Sequence, residues 1–82
     1  MSEQRARFVI HGVSTETAAV STLSGILGSR EEARLILPGI TREAYSGGQV
    51  APLGLDAMMS TDLGGLPIAV VFVTEIAADW ES

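Results

Sequence analysis

The stretch Pro67 to Ile76 constrains this chain more than any other. Val70, Val71, Phe72, Val73 and Thr74 are β-branched or aromatic, and Gly64-Gly65 and Pro67 mark a turn leading into them. The run predicts a strand over 67–76. A half-buried strand alternates apolar and polar residues, whereas this one stays apolar on both faces until Glu75. Such a strand belongs in the middle of a sheet. It is either covered on both sides, or covered on one side and joined to a partner on the other.

The rest of the chain has to supply that cover with little material. Its 82 residues suffice for one compact domain over 1–82, and without cysteine no disulfide can staple it. A second strand is expected over about 6–13, where Phe8 and Ile10 alternate with Arg7, Val9 and His11. A helix is expected over 15–28. Ser14 or Thr15 can cap it, Glu16 suits its first turn, Gly28 can end it, and Ala19, Val20, Leu23, Ile26 and Leu27 form an apolar stripe.

Residues 29–37 read two ways. Ser29 with Glu32 fits a capping box, while Ala33, Leu35 and Leu37 alternate ahead of a Pro38-Gly39 turn. We take the second reading, a short strand over 33–37. The chain then begins β-α-β, with a right-handed crossover if the strands are parallel. Short helical turns are expected over 41–45 and 53–59, and a loop over 60–65 in which Asp62 makes an Asx-type turn. The expected fold is α/β: three or so strands, with the Phe8 and Phe72 strands as neighbours and the 15–28 helix packed on one face.

The composition removes several kinds of chemistry. There is no lysine for a Schiff base or a P-loop, no cysteine for a thiolate or a sulfur-rich zinc site, and one histidine. The serines include no Gly-x-Ser-x-Gly elbow, and the acidic residues show no EF-hand spacing. No cofactor and no metal is therefore expected. His11, at the end of the first strand and ahead of the 15–28 helix start, is the one catalytic candidate, with Glu16 to orient it.

Charge narrows the partners. The net charge is −5, the five basic residues are arginines, and none lies beyond Arg42. Phosphate neutralisation needs clustered cations, so nucleic acid is not an expected partner. No leader segment is evident, and the apolar stretch from Leu66 to Ala78 is interrupted by Glu75 and well short of the ~20 residues of a membrane helix. No membrane partner is expected, and cytoplasmic residence is.

What remains is association. Only 18% of residues are charged, against about 25% in an average soluble domain. On the expected helix, Thr17, Ser21, Ser24, Gly25 and Gly28 line one small, uncharged side suited to close packing. Trp80 is a further contact candidate, as are Tyr45, Met58 and Met59 unless they close the core. The function expected is a non-enzymatic interaction module or accessory subunit that associates with itself or with another protein. The alternatives are a small enzyme or ligand-binding subunit with its pocket at His11, and an adaptor whose acidic C-terminal half meets a basic surface.

Overall fold

The computed structural model describes residues 7–45 and 48–76. In chain order these form β1 (Arg7–Ser14), β2 (Val20–Thr22), α1 (Arg30–Ala44), β3 (Gln49–Gly54), β4 (Ala57–Thr61) and β5 (Pro67–Ile76). The five strands make one sheet of order β2-β1-β5-β4-β3, antiparallel throughout. The two-sided apolar run is thus the central strand. The Phe8 strand is its neighbour, with Ile10 opposite Val73 and Val13 opposite Val70. The α/β class holds, with one helix on five strands rather than on three or so.

The helix lies elsewhere than expected. Residues 15–28 are not helical: they form a turn, the edge strand β2 and an extended segment beside β1. Ser14 Oγ does cap locally, accepting from the Glu16 and Thr17 N–H groups at 3.2 and 3.4 Å. The chain then reverses at Ala18, whose φ of 61° no α-helix contains. Thr17, Val20, Ser21, Thr22, Ser24 and Gly25 are poor helix formers, and the outer edge of β1 needs hydrogen-bond partners. The segment supplies them. Leu23 N–H donates to Ile10 O at 2.8 Å, Phe8 and Leu27 exchange bonds of 2.9 and 2.7 Å, and Ser24 Oγ accepts from Ile10 N–H at 2.9 Å.

The helix is α1, which replaces the strand expected over 33–37. Its N-cap is Ser29, whose Oγ accepts from the Glu32 N–H at 3.0 Å, with Glu31 and Glu32 in the first turn. The alternation of Ala33, Leu35 and Leu37 misleads because Leu35 is 81% exposed. Ala33, Leu37 and Thr41 are the buried set, and a spacing of four is helical. Pro38 stands inside the helix, where it removes one backbone donor. With α1 following β2, the expected β-α-β opening is replaced by an antiparallel β1–β2 hairpin.

A second correction concerns 53–59, expected as a helical turn. It is a hairpin in which Gly54 pairs with Ala57 around Leu55 and Asp56. The loop expected over 60–65 is shorter, since β4 runs through Thr61, but its Asx-type turn is present, with Asp62 Oδ1 accepting from the Gly64 and Leu66 N–H groups at 2.8 and 2.9 Å.

Packing follows the strand alternation. Phe8, Ile10 and Val71 meet Ala33 and Leu37 of α1, with Tyr45, Met58 and Val73 around them. Tyr45 lies over Gly12: a Cβ there would stand 2.5 Å from the tyrosine Oη and 2.9 Å from Leu23 Cδ1. The glycine is what lets the end of α1 close onto β1. The buried hydroxyls are paired, Thr41 Oγ1 donating to Leu37 O at 2.7 Å and Ser60 Oγ to Tyr45 O at 3.2 Å.

Candidate interaction face

Residues opposed across an antiparallel ladder point to the same side, so the register assigns every strand residue to one of two faces. Phe8, Ile10, Val71, Val73 and Met58 point toward α1. Val9, His11, Val13, Met59, Val70 and Phe72 point away from it. No helix or strand among the described residues covers this second face. Val9 is buried there, and the other five are half-buried.

The two faces also differ in charge. On the helix side, Arg30 Nη1 bonds Asp56 Oδ2 at 2.6 Å, Arg30 Nη2 bonds Glu75 Oε1 at 2.7 Å, and Arg34 Nε bonds Asp56 Oδ1 at 2.6 Å. Arg30 also lies 5.0 Å from the centre of the Phe8 ring. The Arg34 guanidinium, helped by Arg30, holds the Asp56 carboxyl below the ordinary carboxylate range, against a smaller opposing effect of desolvation. This network ties the first turns of α1 to the β3–β4 turn and the end of β5. The open face has no carboxylate among its described residues, and its one charged side is Arg7, at the start of β1.

His11 lies on the open face, opposite Thr22 of β2 and Phe72 of β5. Its Nδ1 shares a 2.9 Å hydrogen bond with Thr74 Oγ1, and its ring is 5.9 Å from that of Phe72. The helix N-terminus expected beside it does not exist. Glu16 is exposed in the turn after β1, and α1 packs on the opposite side of the sheet. The pocket expected at His11 thus loses its second wall. Among the described residues, no three His, Asp or Glu side chains are grouped as a metal site would require.

The small-residue stripe loses its geometry with the helix. Thr17 is in the turn, where its Oγ1 accepts from Ala19 N–H at 3.2 Å. Ser21 stands in β2 opposite Gly12, Ser24 is tied to β1, and Gly25 and Gly28 lie in the exposed stretch before α1. Trp80 lies outside the described residues. Tyr45 and Met58 pack against the core, and Met59 points to the open face. Val13 and Val70, which the sequence analysis did not single out as contact residues, stand on the open face beside Met59.

Two further features bear on association. β2 has three residues, and the opposite edge strand, β3, carries Pro52, which cannot donate to an added strand. Both edges of the sheet are thus poor templates, while its face is open. No helix among the described residues is long and apolar enough to cross a membrane. Comparisons with protein-family models, with curated proteins and with solved structures find no match.

Proposed function

We propose that this chain is a non-enzymatic, self-associating interaction module, and that two copies meet through the open face of the sheet. The observation that carries this reading is an apolar face with no carboxylate among its described residues, on a chain of net charge −5. Two copies repel each other over most orientations, and least where no acid is presented. A second copy is thus the occupant that this face suits best. The strands differ in length, from three residues in β2 to ten in β5, and at a spacing of about 4.8 Å and a rise of about 3.3 Å per residue they give the face roughly 500 Å². Two copies would thus bury about 1,000 Å² in total, the threshold that a biological interface has to clear. The result would be two sheets face to face with α1 of each copy outside.

Absolute mass by light scattering over a concentration series tests the proposal. The expected result is a rise toward twice the 8.6 kDa of one chain. Val70→Glu puts a carboxylate in the middle of the face and should hold the mass at one chain, while Leu35→Glu on the outer side of α1 should leave the dimer unchanged. A wild-type chain that stays monomeric at all concentrations overturns the proposal, as does a Val70→Glu variant that still dimerises.

A further inference from the structure

We propose that Met59 makes this association sensitive to peroxide: the dimer forms with the thioether and comes apart when its sulfur is oxidised to the sulfoxide. The proposal rests on the open face being the dimer interface. The chain has no cysteine, so its three methionines hold all of its sulfur. Met58 and Met59 are neighbours in β4, and strand alternation sends them to opposite sides of the sheet. Met58 packs against the core on the α1 side, while Met59 stands half-buried on the open face.

The surroundings of Met59 give the oxidation its effect. It lies opposite Val70 of β5 and Ala51 of β3. On its own strand Ala57 points the same way, and on β5 Ile68 and Phe72 flank Val70 on that side. A flexible thioether packs well among such groups and adapts to those of a second copy. In the oxidation one oxygen passes from a hydroperoxide to Met59 Sδ. The O–O bond breaks, an S–O bond forms on a sulfur lone pair, and water or an alcohol leaves. Sulfur loses two electrons and the peroxide gains them. The product is a polar side chain with an acceptor oxygen. In the separated chain water solvates that oxygen, whereas docking strips it of water against valine, alanine and phenylalanine.

A two-fold dimer holds two copies of Met59. Each sulfoxide raises the dissociation constant about tenfold, and the two together about a hundredfold. The dimer in turn covers Sδ, so oxidation passes through the separated chain and slows as the chain becomes more concentrated. The change is reversible. A methionine sulfoxide reductase removes the oxygen as water while a pair of thiols is oxidised to a disulfide.

Sedimentation equilibrium of the Met58→Leu chain before and after dilute hydrogen peroxide is the test, with the double variant Met58→Leu/Met59→Leu as its control. Leucine nearly keeps the volume at both places but takes no oxygen, and both variants retain Met1. The expected result is a dissociation constant raised about a hundredfold in the first chain once Met59 is oxidised, and unchanged in the second, with circular dichroism unaltered in both. A first chain that weakens less than about threefold overturns the proposal and leaves the interface standing. Equal weakening of the double variant does the same, since the effect then lies away from Met59. A wild-type chain already monomeric before peroxide overturns the interface itself. Should a leucine variant fail to dimerise, partly oxidised wild-type chain decides, separated by size and mapped by mass spectrometry. Met59 sulfoxide must be concentrated in the monomer, and an even distribution overturns the proposal.

Discussion

The helix-covered face and the open face come from the same strands. β5 gives Ala69, Val71 and Val73 to one and Val70, Phe72 and Thr74 to the other, and β1 divides in the same way. Volume and hydrophobicity hardly distinguish the two sets. On the helix side, Ile10 and Val71 are wholly buried, the hydroxyls of Thr41 and Ser60 are paired, and arginine–carboxylate contacts close the end of the layer. On the open side Val9 is buried, while Val13, Met59, Val70 and Phe72 are half-buried, and His11 is bonded to Thr74. A strand's composition thus reports that it is central, but leaves open which of its faces the chain itself covers.

The strongest way to break this comparison is to truncate one residue on each face. Ile10→Ala should cost about 2–5 kcal/mol of stability by leaving a cavity under α1. Val13→Ala, measured in the monomeric Val70→Glu background, should cost less than about 1 kcal/mol. Equal losses in urea unfolding would mean that the open face is no more open than the covered one.

Next is Gly12→Ala. The added methyl must displace Tyr45 or Leu23, so about 1–3 kcal/mol should be lost, and Tyr45→Leu in the same chain should recover part of it. No recovery would place the cost in the β1 backbone instead. Ser24→Ala removes the acceptor of the Ile10 N–H and should cost about 1 kcal/mol, read from hydrogen exchange at Ile10 as well as from unfolding. That residue then counts as part of the sheet edge and not of an interface.

The smallest effect is expected at the ionic end of the helix side. Asp56→Asn should destabilise the chain modestly at neutral pH. Because the Asp56 carboxyl is held below its ordinary range when folded, its contribution is complete above the unfolded value and fades as pH falls through the folded one. The stability gap between wild type and Asp56→Asn should therefore close below about pH 4. A gap independent of pH would show that Asp56 acts through its shape and hydrogen bonds, not its charge.

How much was legible in the sequence depended on the range of the deciding interactions. The strands at Phe8 and Phe72 and the Asp62 turn were readable because local backbone preference and side-chain alternation agree there. The stretch 15–28 carries a helix-like apolar spacing on residues that form helices poorly. The unpaired edge of β1 decided between the two, drawing Leu23, Ser24 and Leu27 into register. At 29–37 both readings were present in the residues, and Pro38-Gly39 favoured the wrong one. The helix persists through Pro38 because Ala33, Leu37 and Thr41 are buried against the sheet. The helical geometry that put Thr17, Ser21, Ser24, Gly25 and Gly28 on one stripe is lost for the same reason, since a face is defined only once the element is.

The sequence alone determined that β5 would be central, that charge would be scarce, and that thiol, lysine and multi-histidine chemistry was absent. These are properties of residue type and near-neighbour order. Tertiary structure alone decided which segment became the helix, which face it covered, and that His11 would stand on the other. Those choices depend on hydrogen-bond partners and apolar surface from residues far apart in the chain, whose combined energies exceed the few tenths of a kcal/mol by which local propensities differ.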